Sequence, residues 1–238
     1  VLDLCCGVAG PGRFITSELG CTSLRVDASA SAIDIAWERA ADLHCRFAVA
    51  RVPPVPPGPF DVVLLLETLL AFADKERLLR AISSALSSGG RFAFTVEEGQ
   101  PLTEAERARM PDADTVWPVL LVDLLSGLAR VGLRVRWVEE CSRSHRLMVD
   151  ALIRALAVQE SEIAAQWGQR AVDGLLDAHR LWSDWLSEGR VRKFAVVAEK
   201  PAVARDIAKW LGANPHRVGV LEASDTIVSW AIGNEVAP

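Results

Sequence analysis

The chain has 238 residues, half of them hydrophobic, and a formal net charge of −5. That length fits one large globular domain or one domain with an appendage, and a mildly acidic balance gives no electrostatic reason to expect nucleic acid or a membrane surface as the main partner. Five cysteines without paired spacing, four scattered histidines and the lack of CxxC or HExxH argue against a disulfide scaffold or metal centre and for a reducing cytoplasm. No apolar run reaches the roughly 18 residues of a membrane span.

The chain starts at Val1, inside an apolar strand pattern and without methionine, which reads as a fragment or processed product. "VLDL" (1–4) predicts a strand running into a glycine turn. "PGRFITSEL" (11–19) predicts a helix whose first turn Gly12 weakens. "SLRVDAS" (23–29) predicts a strand ending in an acidic residue, and "SAIDIAWERAADL" (31–43) an amphipathic helix. "RFAVA" (46–50) predicts a third strand. "VPPVPPGP" (52–59) cannot be regular, because its prolines lack backbone donors. "FDVVLLL" (60–66) predicts a strand buried on both faces. "DKERLLRAISSAL" (74–86) predicts a helix that "SSGG" stops, and "RFAFTVEEG" (91–99) a fifth strand. "LLVDLLSGLARVG" (120–132) predicts a helix and "LRVRWVEEC" (133–141) a strand. A long helical region follows at about 143–188, broken near Gly168. "VRKFAVVAEK" (191–200) predicts a last strand, leaving 201–238 as a tail.

Strands alternating with helices predict an α/β fold, with helices on both faces of a mostly parallel sheet. The strand carboxyl ends then share one edge, where ligands of such sheets bind. Residues 5–10, 27–29, 51–52, 67–72 and 97–100 fall there. Gly7, Ala9 and Gly10 let a ligand approach the backbone, and Asp27 follows Gly7 at the spacing at which an acid can bond both hydroxyls of a ribose.

The turn D-L-C-C-G-V-A-G-P-G resembles the first motif, hhDhGxGxG, of class I S-adenosylmethionine-dependent methyltransferases. Asp3 stands at the acidic position, Cys5 at the first glycine, Gly7 at the second and Ala9 at the third. "FDVVLLLETL" looks like the family's fourth-strand motif, and "LLRAISSALSSGGRFAFT" its helix-to-fifth-strand segment. "LVDLLSGLARVGLRVRWVEE" and "FAVVAEKP" are similar to its later helix–strand pair and its antiparallel last strand. The matches run in order over about residues 1–200. They imply a Rossmann-like doubly wound sheet, mostly parallel with an antiparallel last strand, plus a helical insertion at about 143–188 that helps to close a substrate pocket. That insertion resembles the small-molecule type, such as sarcosine/dimethylglycine and phosphoethanolamine methyltransferases.

The resemblance implies S-adenosylmethionine as cofactor, held by Asp3, Cys5, Gly7, Ala9, Gly10, Asp27, Ala28, Arg51, Val52 and Glu67. It implies methyl transfer to a nitrogen or oxygen of a small molecule, with no metal. Arg51 stands near where the family often has an acid, and "ETLLAF" lacks the histidine many members carry after strand four. Those departures keep a second reading open, a catalytically degenerate cofactor-binding or interaction module of the same fold. A nicotinamide (NAD)-dependent oxidoreductase is a third reading, disfavoured by the glycine spacing.

For chemistry, His145 in "CSRSHRL" is the candidate general base. Glu97 and Glu98 follow the fifth strand, where one of them offers a site for a cationic substrate or a proton acceptor; Glu98 is the second catalytic candidate, and the plainer reading of either is a solvated carboxylate. Arg143 and Arg146 offer anion binding or a solvated face. Trp117, Trp182 and Trp185 offer cation–π cradling of an ammonium or core packing. In the tail, Ala208, Gly212, Val218 and Leu221 have helix-turn-helix spacing. Three Lys/Arg against four Asp/Glu over 201–238 speak instead for a docking or oligomerising appendage, with a homo-oligomer as one outcome.

Overall fold

In a computed structural model, the structure describes residues 1–40, 43–202, 214–217, 220–223 and 226–229. Strand β1 (Leu2–Leu4) turns into helix α1 (Gly10–Leu19), which starts with Pro11 in its first turn and ends on left-handed Gly20. Strand β2 (Ser23–Asp27) leads to α2 (Ala30–Glu38), capped by the Ser29 hydroxyl accepting from the Ala32 amide at 3.2 Å. Strands β3 (Cys45–Val49) and β4 (Phe60–Leu65) flank the proline-rich loop. Asp74 caps α3 (Lys75–Ala85).

Strand β5 (Leu86–Glu98) is longer than its sequence suggests. The SSGG segment ends the helix as expected but continues directly as extended chain. Register against β4 slips between Phe60↔Leu86 and Val62↔Arg91, and Ser87 Oγ fills the irregularity by donating to the Phe60 carbonyl at 3.1 Å. A Cβ on Gly90 would meet Ser87 and Phe60 oxygens at 2.9 and 3.0 Å, so the bulge requires glycine there. Helix α2 likewise ends earlier than the predicted 31–43, because the chain tightens into turns at Ala40 and Leu43.

A short helix α4 (Glu104–Arg109), closed by a Thr103–Glu106 capping box, and a 3₁₀ turn at Ala113–Thr115 fill the segment the sequence left blank. Then come α5 (Leu121–Arg130), β6 (Arg134–Glu140), α6 (Ser142–Val158), α7 (Glu160–Trp167), α8 (Gln169–Glu188) and β7 (Arg192–Glu199). The sheet order is β3-β2-β1-β4-β5-β7-β6, with β7 antiparallel to both neighbours. Leu2, Leu4, Val63 and Leu65 pack with Leu78, Ile82, Leu124 and Leu128 into the main core. A second cluster joins Leu102, Met110 and Val116 to Leu181 and Trp185 of α8. No helix among the described residues is long and apolar enough to cross a membrane.

Beyond residue 202, β8 (Asn214–Arg217), β9 (Val220–Ala223) and β10 (Thr226–Ser229) form an antiparallel three-stranded sheet. Leu221 of the helix-turn-helix spacing therefore lies on a strand. Ala208, Gly212 and Val218 lie outside the described residues.

Candidate functional site

The turn after β1 holds three residues in the left-handed region, Cys5 (φ 54°), Gly7 (φ 52°) and Ala9 (φ 60°). Its amides are tied down: Cys6 donates to the Val26 carbonyl at 3.1 Å and Ala9 to the Cys6 carbonyl at 2.8 Å. A Cβ on Gly7 or Gly10 would meet nothing within 4 Å, so the turn's outer surface is open to a ligand. Asp27 closes the cradle from β2. Its Oδ2 accepts from the Gly7 amide and its Oδ1 from the Ser29 amide, both at 2.8 Å. Register Asp27↔Val49 sets the end of β3 beside that of β2, which brings Ala28, Arg51 and Val52 to the same edge.

Beneath the turn, Asp3 is 5% exposed. Burial pushes its carboxyl up to about 6, Arg25 opposes the shift and Asp27 adds to it. Arg25 is fully buried in β2, donates to Thr16 Oγ1 at 2.8 Å and lies 5.6 Å from the Phe47 ring centroid. The cysteines do not form a reactive pair. Burial, then Asp27 and Asp3, push the Cys5 thiol up to about 11. Burial with the same carboxylates pushes Cys6 up to about 12, so both stay protonated at neutral pH.

Glu67 follows β4, the strand that pairs with β1 in parallel register, and so stands beside the turn. Its backbone is left-handed (φ 59°) and its amide donates to Thr95 Oγ1 at 2.7 Å. Lys193 of β7 donates to Glu67 Oε2 at 2.7 Å and to the buried Glu97 Oε1. His145 Nδ1 lies 3.9 Å from Glu67 Oε2. Carboxylate and imidazole atoms of Glu67, Glu97 and His145 lie within 4.8 Å of one another, a grouping able to hold a metal ion, yet the Lys193 ammonium already bonds both carboxylates. Burial pushes the Glu67 carboxyl up, but Lys193, His145 and Thr95 together hold it below the usual range. Burial, then Lys193, hold the His145 imidazole below its ordinary value, so it is neutral at pH 7 and can accept a proton.

The sequence put Glu67 with the cofactor and named His145 and Glu98 as the catalytic candidates; the structure brings Glu67 and His145 together. Glu98 faces the other side of β5, where Arg192 Nε donates to it at 2.9 Å; the pleat puts Glu97 on the His145 side. Lys193 was missed. Its only signal was a charge inside an apolar strand. Arg143 is exposed, and neither it nor Arg146 lines the cavity beside the cluster. Trp117 is held by its Nε1 donating to the Asp114 carbonyl at 2.8 Å and by the Arg107 guanidinium 4.5 Å over its ring. Trp185 is core, edge-on to Trp182 at 5.7 Å, and Trp182 reaches the cavity.

That cavity, about 620 Å³, opens between the 110–116 loop, α6 and α8, with Glu67 and His145 on its wall. Leu70, Met110, Val116, Val149, Leu152 and Trp182 give it an apolar lining. Lys75 fixes the nearby chain by donating to the Phe72 and Trp117 carbonyls at 2.7 and 2.6 Å.

The profile of the family described as a methyltransferase domain matches residues 2–94. Phosphoethanolamine N-methyltransferase 1 of Arabidopsis thaliana is 33% identical over 95 residues, 38% of this chain and 19% of that protein. A 46-residue stretch, 19% of this chain, is 52% identical to 6% of DNA topoisomerase 3 of Shouchella clausii. The chain thus spans under a fifth of either curated relative. Among solved structures, phosphoethanolamine N-methyltransferase 2 of Haemonchus contortus, in complex with phosphomonomethylethanolamine and S-adenosylhomocysteine, superposes with a TM-score of 0.72 at 22% identity. That match covers 84% of this chain and 48% of the other. Residues 2–94 are thus similar to the methyltransferase-domain family, and the chain has the fold of the solved, class I methyltransferase.

Proposed function

We propose that this chain binds S-adenosylmethionine at the turn and transfers its methyl group to a nitrogen or oxygen of a small molecule held at the cavity wall. The carrying observation is the Asp27 carboxylate, fixed by the Gly7 and Ser29 amides and thereby aimed to accept from ribose hydroxyls. Bound there, the cofactor supplies an electrophilic methyl on a sulfonium. The turn residues Cys5, Gly7, Ala9 and Gly10 bring backbone close to it, and Asp3 supports them from below. Ala28, Arg51 and Val52 flank its adenosine end. Glu67, one strand over and on the cavity wall, would hold the cofactor or the acceptor.

Methyl transfer is an in-line displacement, so the protein must position a neutral nucleophile about 3 Å from the methyl and exclude water. The apolar cavity performs the second task. His145, neutral at pH 7, takes the acceptor's proton, and Lys193 fixes the carboxylates around it.

Calorimetry of the purified chain with S-adenosylmethionine and with S-adenosylhomocysteine tests the binding half. Mass-spectrometric detection of S-adenosylhomocysteine formation, lost at least a hundredfold in His145→Gln, tests the chemistry. No heat with either compound would sink this reading. Binding without turnover of any acceptor would leave a degenerate module.

A further inference from the structure

The cavity's polar groups are nearly all acceptors. Glu67 and Asp112 are carboxylates. His179 Nδ1 faces the Leu175 carbonyl at 2.7 Å; a carbonyl cannot donate, so Nδ1 carries a hydrogen, and in that tautomer Nε2 is the acceptor. His145 is the other imidazole, and Thr115 the one hydroxyl. No lysine or arginine side chain lines the cavity, and the two ammonium groups near it are already engaged, Lys193 with Glu67 and Glu97 and Lys75 with the Phe72 and Trp117 carbonyls. Glu97 is 4% exposed, and its Oε2 has no hydrogen-bond partner, although its carboxylate lies within 4.8 Å of the Glu67 and His145 groups on the wall. A buried carboxylate oxygen in that state calls for a donor.

Phosphate or carboxylate acceptors need a guanidinium, an ammonium or a helix N-terminus to meet their charge. This lining offers repulsion instead. A protonated amine meets the carboxylates and imidazoles, and its cation can lie against the Trp182 ring. A volume of about 620 Å³, walled by aliphatic side chains, accommodates a body of ten or so carbon atoms, within the ordinary range for small-molecule sites.

We propose that the methyl acceptor is an apolar primary or secondary amine, its hydrocarbon body in the cavity between α6 and α8 and its nitrogen at the Glu67–Glu97–His145 end. The assignment rests on the methyl-transfer reading above. The arriving ammonium gives its proton to His145. The neutral nitrogen's lone pair then forms the N–C bond to the donor's methyl as the C–S bond breaks with its electron pair left on sulfur. The products are a methylammonium ion and S-adenosylhomocysteine, and the His145 proton leaves to solvent.

The test titrates the full chain, with and without saturating S-adenosylhomocysteine, against 2-phenylethylamine, 2-phenylethanol, 3-phenylpropionate and phosphoethanolamine. The amine is expected to bind at least tenfold more tightly than each of the others. Met148→Lys, at an exposed position on the cavity wall, is expected to weaken the amine about tenfold and leave S-adenosylhomocysteine affinity unchanged. Equal or tighter binding of the alcohol, the carboxylate or phosphoethanolamine overturns the assignment, as does no amine binding. S-adenosylhomocysteine binding without the amine's overturns the assignment alone. Amine binding with no affinity for S-adenosylhomocysteine overturns the methyl-transfer reading and leaves the cavity assignment standing.

Discussion

Gly12 lies against Asp3 so closely that a Cβ at that position would stand 2.1 Å from Asp3 Oδ2 and 3.3 Å from Arg25 Nε. Helix propensity alone would make Gly12→Ala stabilising by about 1 kcal/mol. Contact with a buried carboxylate reverses the sign, because overpacking a fixed site costs about 1–3 kcal/mol. We expect the variant's melting temperature to fall by roughly 2–10 °C in calorimetric scans. An unchanged or higher value would show that Asp3 moves aside freely.

Asp27 joins the turn to β2 through its bond from the Gly7 amide. Asp27→Ala removes both that bond and the acceptor for ribose hydroxyls. Hydrogen bonds to a charged group are worth about 1.5–3 kcal/mol, so S-adenosylhomocysteine affinity is expected to fall by roughly ten- to 150-fold in calorimetry. Circular dichroism should be unchanged, since Asp27 lies at the sheet's edge and is only half-buried.

Asp27 was legible because its distance from Gly7 along the chain mirrors a local βαβ unit, in which short connections fix the geometry. The sheet was legible for the same reason. The Glu97 side of the site was not. Which of two adjacent carboxylates lies on the Glu67 and His145 side depends on the phase of the pleat, and the pleat is set by β5's long start at Leu86 and its bulge, neither visible in an SSGG stop signal. Lys193 was hidden for another reason. Its partners lie 126 and 96 residues away in sequence, and only the antiparallel insertion of β7 next to β5 brings them together.

Asp3 makes ligand-free stability depend on pH. Its folded value, about 6, lies above the 3.8 of a free aspartate side chain. The contribution is therefore fully present below about pH 4 and is lost as pH rises through 6. At neutral pH the ionised, buried carboxylate costs about 3 kcal/mol. Asp3→Asn is expected to melt roughly 5–10 °C higher at pH 7.5 and to flatten the decline between pH 4 and 7. Equal melting temperatures of the two proteins at pH 7.5 would show that Arg25 compensates fully.

Cys5 occupies a backbone conformation (φ 54°) that side chains disfavour by about 1–2 kcal/mol. Cys5→Gly is expected to raise the melting temperature by a few degrees and to keep S-adenosylhomocysteine affinity within twofold. Lost affinity would mean that the side chain itself touches the cofactor.

Lys193→Met tests the cluster. Removing one partner of a buried ion pair costs about 3–5 kcal/mol, and here it strands Glu97, which is almost fully buried. Glu67 is held below the usual carboxylate range in the folded chain, so its contribution is present above that range and is lost as pH falls through it. The stability gap between wild type and Lys193→Met should therefore be widest near pH 7 and shrink toward pH 3. A double variant, Lys193→Met with Glu97→Gln, leaves no buried unpaired charge at residue 97 and should recover at least half of the loss, a coupling of about 1.5 kcal/mol or more. Additive losses in the double variant would show that Lys193 stabilises the fold through packing of its hydrocarbon stem. A pH-independent gap would place its effect outside the Glu67 pair.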